Sequence, residues 1–162
     1  WSSDVCSSDL TGADFAGDDA GDAGFLVMMN EIIQTRPDVH RGWLEAELDA
    51  QIFLADLGNA NAVSKMADDQ TEGIDRKVLW ASLYRDEAGV NKLTLDFIFN
   101  DKVKTMLKAS TAFLAGKKKF GKRKTLRPES VWDDMARQVL KDRGLSSPLG
   151  KIDGVPLSQY KN

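Results

Sequence analysis

The chain offers few groups able to do chemistry. His40 is its single histidine and Cys6 its single cysteine, so a nucleophile and base of the Ser/His/Asp or Cys/His kind would have to work through His40. His40 lies between Val39 and Arg41 in the first turn of an amphipathic run, a setting that suits a solvated or partly packed surface histidine. No G-x-S-x-G elbow, G-x-x-x-x-G-K-[ST] loop or G-x-G-x-x-G turn is present, so neither an activated serine nor a phosphate cradle is supported. Asp18, Asp19 and Asp22 miss the D-x-D-x-D-G register of a calcium loop. Glu45 with Asp49, and Asp68 with Asp69, read as solvated helix faces rather than as a matched acid and base. The expectation is a protein that is not an enzyme and that uses no metal and no cofactor.

One charged feature stands apart. Lys117, Lys118, Lys119, Lys122, Arg123, Lys124 and Arg127 fall in one short run, with no acid between Asp101 and Glu129. Such a run can neutralise phosphates. It carries a single aromatic, Phe120, no nucleic-acid module surrounds it, and the whole chain has a net charge of -3. A solvated linker between two helices is the better reading, and no nucleic-acid partner is expected.

The elements that would position these groups are mostly helical. The chain has 162 residues, 42% hydrophobic and 29% charged, which excludes a disordered polymer. Its longest apolar run, Phe25 to Met29, is far short of the ~20 residues of a spanning helix. Residues 1–10 resemble a translated sequencing adapter rather than a secretory signal and are expected to be a non-native leader. Residues 11–24 hold four Asp and four Gly and read as a loop.

Phe25 to Met29 reads as a buried strand, with Asn30 capping a short helix behind it. Pro37 should open a long helix from Asp38 to Asp56. Val39, Trp43, Ala46, Ala50, Phe53 and Leu57 form its apolar stripe, widened by Leu44, Leu48 and Ile52, a face broad enough for neighbours on more than one side. A helix after Asn59 or Asn61 follows, then one through Ile74, Val78, Ala81 and Tyr84. Leu93 to Phe97 alternates as an extended segment would. Two more helices are expected, one through Val103, Met106, Leu107, Phe113 and Leu114, and one from Pro128 to Gly144. Residues 145–162, with Pro148, Gly150, Gly154 and Pro156, read as a loosely ordered tail. A lone buried strand cannot satisfy its own backbone groups, so Phe25 to Met29 implies sheet neighbours that this sequence scarcely contains.

Residues Thr11 to Phe120 resemble the C-terminal part of substrate-binding proteins of the nitrate/sulfonate/taurine type of ABC transporter. The likeness rests on T-G-A-D-F-A-G, G-F-L-V-M-M-N-E-I-I, R-P-D-V-H-R-G-W-L-E-A-E-L-D-A-Q and V-L-W-A-S-L-Y, in that order. The resemblance implies an α/β fold: a truncated, mostly helical C-terminal part, residues 11–144, of a two-lobed type II periplasmic binding protein, with one or two strands. It implies capture of a small anionic or zwitterionic solute in an interlobe cleft and delivery to a membrane permease, in the periplasm, with the signal peptide outside this fragment. The family places a polar residue at the cleft rim just before the returning strand. The matching positions are Asp22 and Gly24, with Asp14 in the preceding turn, and an acid there would suit an amine-bearing solute such as taurine. The alternative is a small helical interaction module whose basic segment docks an acidic partner or nucleic acid.

Overall fold

A computed structural model describes residues 25–84, 93–117, 124–152 and 154–161. The described chain is mostly helical. Its helices are α1 (Asn30–Thr35), α2 (Pro37–Ala55), α3 (Ala60–Gln70), α4 (Arg76–Tyr84), α5 (Asp101–Gly116) and α6 (Asp134–Asp142), with strands β1 (Leu93–Leu95) and β2 (Gly150–Ile152) and three short 3₁₀ turns. The chain divides into two compact units: Trp1–Met28 with Phe99–Trp132, and Met29–Ile98 with Asp133–Asn162.

In the first unit, α5 begins where the Asn100 side chain accepts the Val103 N–H at 2.8 Å, satisfying one of the orphan donors of a helix start. Asp101 in its first turn complements the helix dipole. Val103, Met106, Leu107 and Leu114 are half-buried while Phe113 is exposed, and Lys117 sits 5.5 Å above the Phe113 ring. Phe25 stacks on Phe99 with centroids 6.0 Å apart.

Phe25 to Met29 is the chief departure from the sequence reading. It is not a strand. Val27 is 93% exposed and Leu26, Met29 and Phe25 are also exposed, and no ladder forms on either side among the described residues. Its apolar run encodes burial, but burial of a strand needs neighbours, and the one sheet described is made elsewhere. Asn30 is likewise the first helical residue rather than the cap, a place taken by Met29 without a side-chain bond.

The second unit carries the core. Pro37 sits at the start of α2, as its fixed φ and missing N–H allow. The buried face of α2 is His40, half-buried Leu44, then Leu48, with Gln51, Leu54 and Ala55 below it. Leu48 packs with Phe97, Ala136, Val139 and Leu140, joining α2 to α6 and the end of β1. A second cluster joins Ala60, Trp80, Tyr84, Leu95 and Val155. The helix α4 turns Trp80 and Tyr84 inward and leaves Ile74 and Val78 in solvent, so its inward face is rotated from the expected stripe.

Helix α6 is shorter than the Pro128 to Gly144 reading, because Pro128–Ser130 forms a separate 3₁₀ turn. Its end is where glycine is expected. Gly144 has φ +66, the Leu145 N–H reaches the Leu140 carbonyl at 2.9 Å and the Gly144 N–H reaches that of Lys141 at 3.1 Å, a Schellman closure.

The described residues of the C-terminal segment are paired and packed. β2 pairs antiparallel with β1 in the register Leu93↔Ile152, Thr94↔Lys151, Leu95↔Gly150. Val155 is buried and its N–H donates to the Tyr84 carbonyl at 2.6 Å. The Tyr160 ring meets Trp80 edge-on at 5.7 Å. Asn61 closes this segment from both sides, accepting the Lys161 N–H at 2.7 Å and donating to the Gln159 carbonyl at 3.2 Å. Pro and Gly density suggests looseness, yet the apolar side chains between them fill the second cluster.

Candidate binding surface

The positions that the family likeness marks for ligand contact, Asp14, Asp22 and Gly24, lie outside the described residues. Cys6, Asp18, Asp19 and residues 118–123 of the basic run lie outside them too; His40, Glu45, Asp49, Asp68 and Asp69 are described, and among these no reactive constellation forms. His40 is buried rather than solvated, 8% exposed on the inward face of α2, and burial pushes its pKa below the ordinary histidine value. Glu45 and Asp49 do not face one another as an acid pair. Glu45 accepts from Arg41 at 2.8 Å, and Asp49 accepts from Arg143, the residue that caps the end of α6. Arg41 also holds Asp142 at 2.8 Å, so two ion pairs join α2 to α6. Hydrogen bonding from Arg41 lowers the Asp142 pKa. Glu45 thus pairs within α2, while Asp49 and Asp142 bridge α2 and the end of α6.

Asp69 is bound by Lys65 one turn earlier, at 2.8 Å. Among the described residues no group of three His, Cys, Asp or Glu could hold a metal, and no helix is long and apolar enough to cross a membrane. Of the basic run, Lys117, Lys124 and Arg127 are described and exposed, and Arg127 lies 3.6 Å from Glu129.

What the second unit does present is apolar surface. The outward side of α2 exposes Val39 (40%), Trp43 (56%) and Phe53 (39%), with Ala46 and Ala50 between them also exposed. These are the residues the sequence marks as the main stripe. They face solvent because Leu44 and Leu48, read there as a widening of the stripe, take the core. Beside them, between α2 and α3, lies a groove of about 340 Å³, a volume in the range of small-molecule or single side-chain sites. Ala50, Phe53, Leu54, Val63 and Met66 supply its apolar lining, and Glu47 and Gln51 its polar atoms. Gln51 donates to Glu47 at 2.9 Å, which leaves the groove able to desolvate an apolar or aromatic group.

Sequence reasoning did not single out this groove, because the residues that make it come from two helices whose packing is not local. The exposed Met66, three residues beyond the half-buried Val63, is the signal that could have pointed to it. No protein-family model, curated protein or solved structure matches the chain.

Proposed function

We propose that this chain is part of the solute-binding component of an ABC importer for a small anionic or zwitterionic solute of the taurine, aliphatic sulfonate or nitrate class. Such a component works in the periplasm, closes two lobes around its solute and hands it to a permease, with affinity drawn from contacts made only in the closed form. It does no covalent chemistry. The observation that carries the reading is the ordered likeness of four segments between Thr11 and Tyr84. The largely exposed run Phe25 to Met29, which has no strand partner among the described residues, supports it, because such a run fits a strand whose sheet is completed by other residues of a larger protein. Asp14, Asp22 and Gly24 are the rim residues this reading assigns to the solute.

The decisive experiment is to read the gene upstream of Thr11. A signal peptide followed by a lobe of alternating strands and helices is the expected result. An in-frame start codon close to Thr11 with no such lobe overturns the proposal.

A second reading, a helical interaction module, draws on the exposed apolar side of α2 and on the basic run. Its nucleic-acid form predicts a gel shift of the chain that weakens steeply with salt, and a shift absent at low salt refutes that form.

A further inference from the structure

The outward stripe of α2 has a regularity that a solvated face does not need. Val39, Trp43, Ala46, Ala50, Phe53 and Leu57 follow one another at steps of four and three, the spacing by which a helix keeps one seam toward a partner helix. Five of them lie on α2 and Leu57 opens the 3₁₀ turn just after it. The buried residue Leu48 lies on the opposite side, so the seam is separate from the face that packs on α6.

The seam is also its own complement. Turned end for end about Leu48, Trp43 falls on Phe53, Ala46 on Ala50 and Val39 on Leu57. The small Ala46 and Ala50 sit at the centre, where they let two helices approach to about 8 Å. The large residues sit toward the ends. Phe53 is also where the groove between α2 and α3 opens, so an end-for-end partner brings its Trp43 to that groove. A projecting indole, 56% exposed, thus meets a cleft of about 340 Å³ lined by Ala50, Phe53, Leu54, Val63 and Met66.

We propose that α2 is the interface of a two-fold dimer of this chain, in which antiparallel α2 helices pair along this seam and each Trp43 enters the α2–α3 groove of the other copy. A two-fold interface uses the same patch on both subunits, which is what the residue order supplies. The acids beside the seam do not oppose it. Asp49 is held by Arg143 and Glu47 by the Gln51 amide, and Glu47 offers an acceptor for an indole N–H. A helix of 19 residues runs about 28 Å at ~1.5 Å per residue. Two inserted tryptophans, each bringing about 150–250 Å² of aromatic surface, add to what the paired helices bury along that length.

The test is sedimentation equilibrium of the full chain over a wide concentration range, with Trp43→Lys and Val27→Lys alongside. Both positions are exposed, so both variants should keep the wild-type helical circular dichroism. The expected result is a monomer–dimer equilibrium that Trp43→Lys weakens roughly thirtyfold or more, as for an aromatic anchor that fills a pocket, and that Val27→Lys leaves unchanged. Geometry is read separately in a Cys6→Ser background. Ala46→Cys mixed with Ala50→Cys should oxidise to a cross-linked dimer faster than either variant alone. A monomer at every concentration, whether or not some other partner covers the stripe, overturns the proposal. So does a dimer indifferent to Trp43→Lys, or one in which each cysteine variant links best to itself, as parallel helices would. None of these outcomes depends on the presence of a solute, so the dimer and the transport reading stand or fall apart.

Discussion

Trp80 allows a sharp test of the second unit's packing. It is fully buried among Ala60, Tyr84, Leu95 and Val155, with Tyr160 against its edge. Trp80→Ala removes the whole indole, and core aromatic truncations cost about 3–5 kcal/mol. That is a large part of the roughly 5–15 kcal/mol by which a domain is stable, which puts this variant at the edge of folding. Trp80→Phe is the more telling change. It leaves a small cavity, about 1 kcal/mol at ~24 cal/mol per Å³, and weakens the edge contact to Tyr160 by about 0.5–1 kcal/mol. It also deletes the Trp80 indole N–H, which is buried with no acceptor among the described residues and costs about 1–3 kcal/mol where it stands. The opposing changes nearly cancel, so Trp80→Phe should alter the unfolding free energy by no more than about 1 kcal/mol. Urea titration followed by circular dichroism measures this directly. A Trp80→Phe loss of about 3 kcal/mol or more, comparable with a full truncation, would refute the reasoning and mean that the N–H has a partner.

Further outcomes follow from single contacts. Asn61→Ala removes both bonds that close the C-terminal segment; at about 1 kcal/mol for each hydrogen bond, the Lys161 amide should exchange with solvent roughly tenfold faster or more. Gly144→Ala should cost about 1 kcal/mol in a thermal or denaturant melt, because φ is +66 while a Cβ there meets nothing within 4 Å, so the penalty is backbone strain alone. His40, whose pKa is lowered by burial, binds fewer protons folded than unfolded. Its contribution is fully present above the unfolded pKa of about 6.5 and is lost as pH falls from there through the lower folded value. A His40→Gln variant should show a flatter fall in stability below pH ~6.5 than the parent chain; an unchanged slope would show that His40 does not govern it.

Much of the local architecture is legible in the residue order. The start of α2 at Pro37, the stop of α6 before Gly144 and the extended character of Leu93 to Leu95 each rest on backbone chemistry of a few adjacent residues. The Phe25 to Met29 run shows the limit of such reading. Its composition states a need for sheet neighbours, and the described chain does not meet that need. The candidate surface was half legible. Trp43 and Phe53 stand out as apolar and regularly spaced, but spacing alone assigned them to the core. Trp80 went unmarked because the stripe traced for α4 ran through Ile74, Val78, Ala81 and Tyr84, and only the approach of Val155 and Tyr160 from far along the chain made Trp80 central.

The sequence by itself determined that α2 exists, where it begins, and that it is apolar on more than one side. It could not determine which side turns inward. Both sides repeat at helical spacing, and the hydrophobic effect has no direction until there is something to pack against. Tertiary structure decided that point. Phe97, Ala136, Val139 and Leu140 close around Leu48, the Arg41–Asp142 and Arg143–Asp49 pairs are consistent with that rotation of α2 against α6, and Trp43 is left facing water.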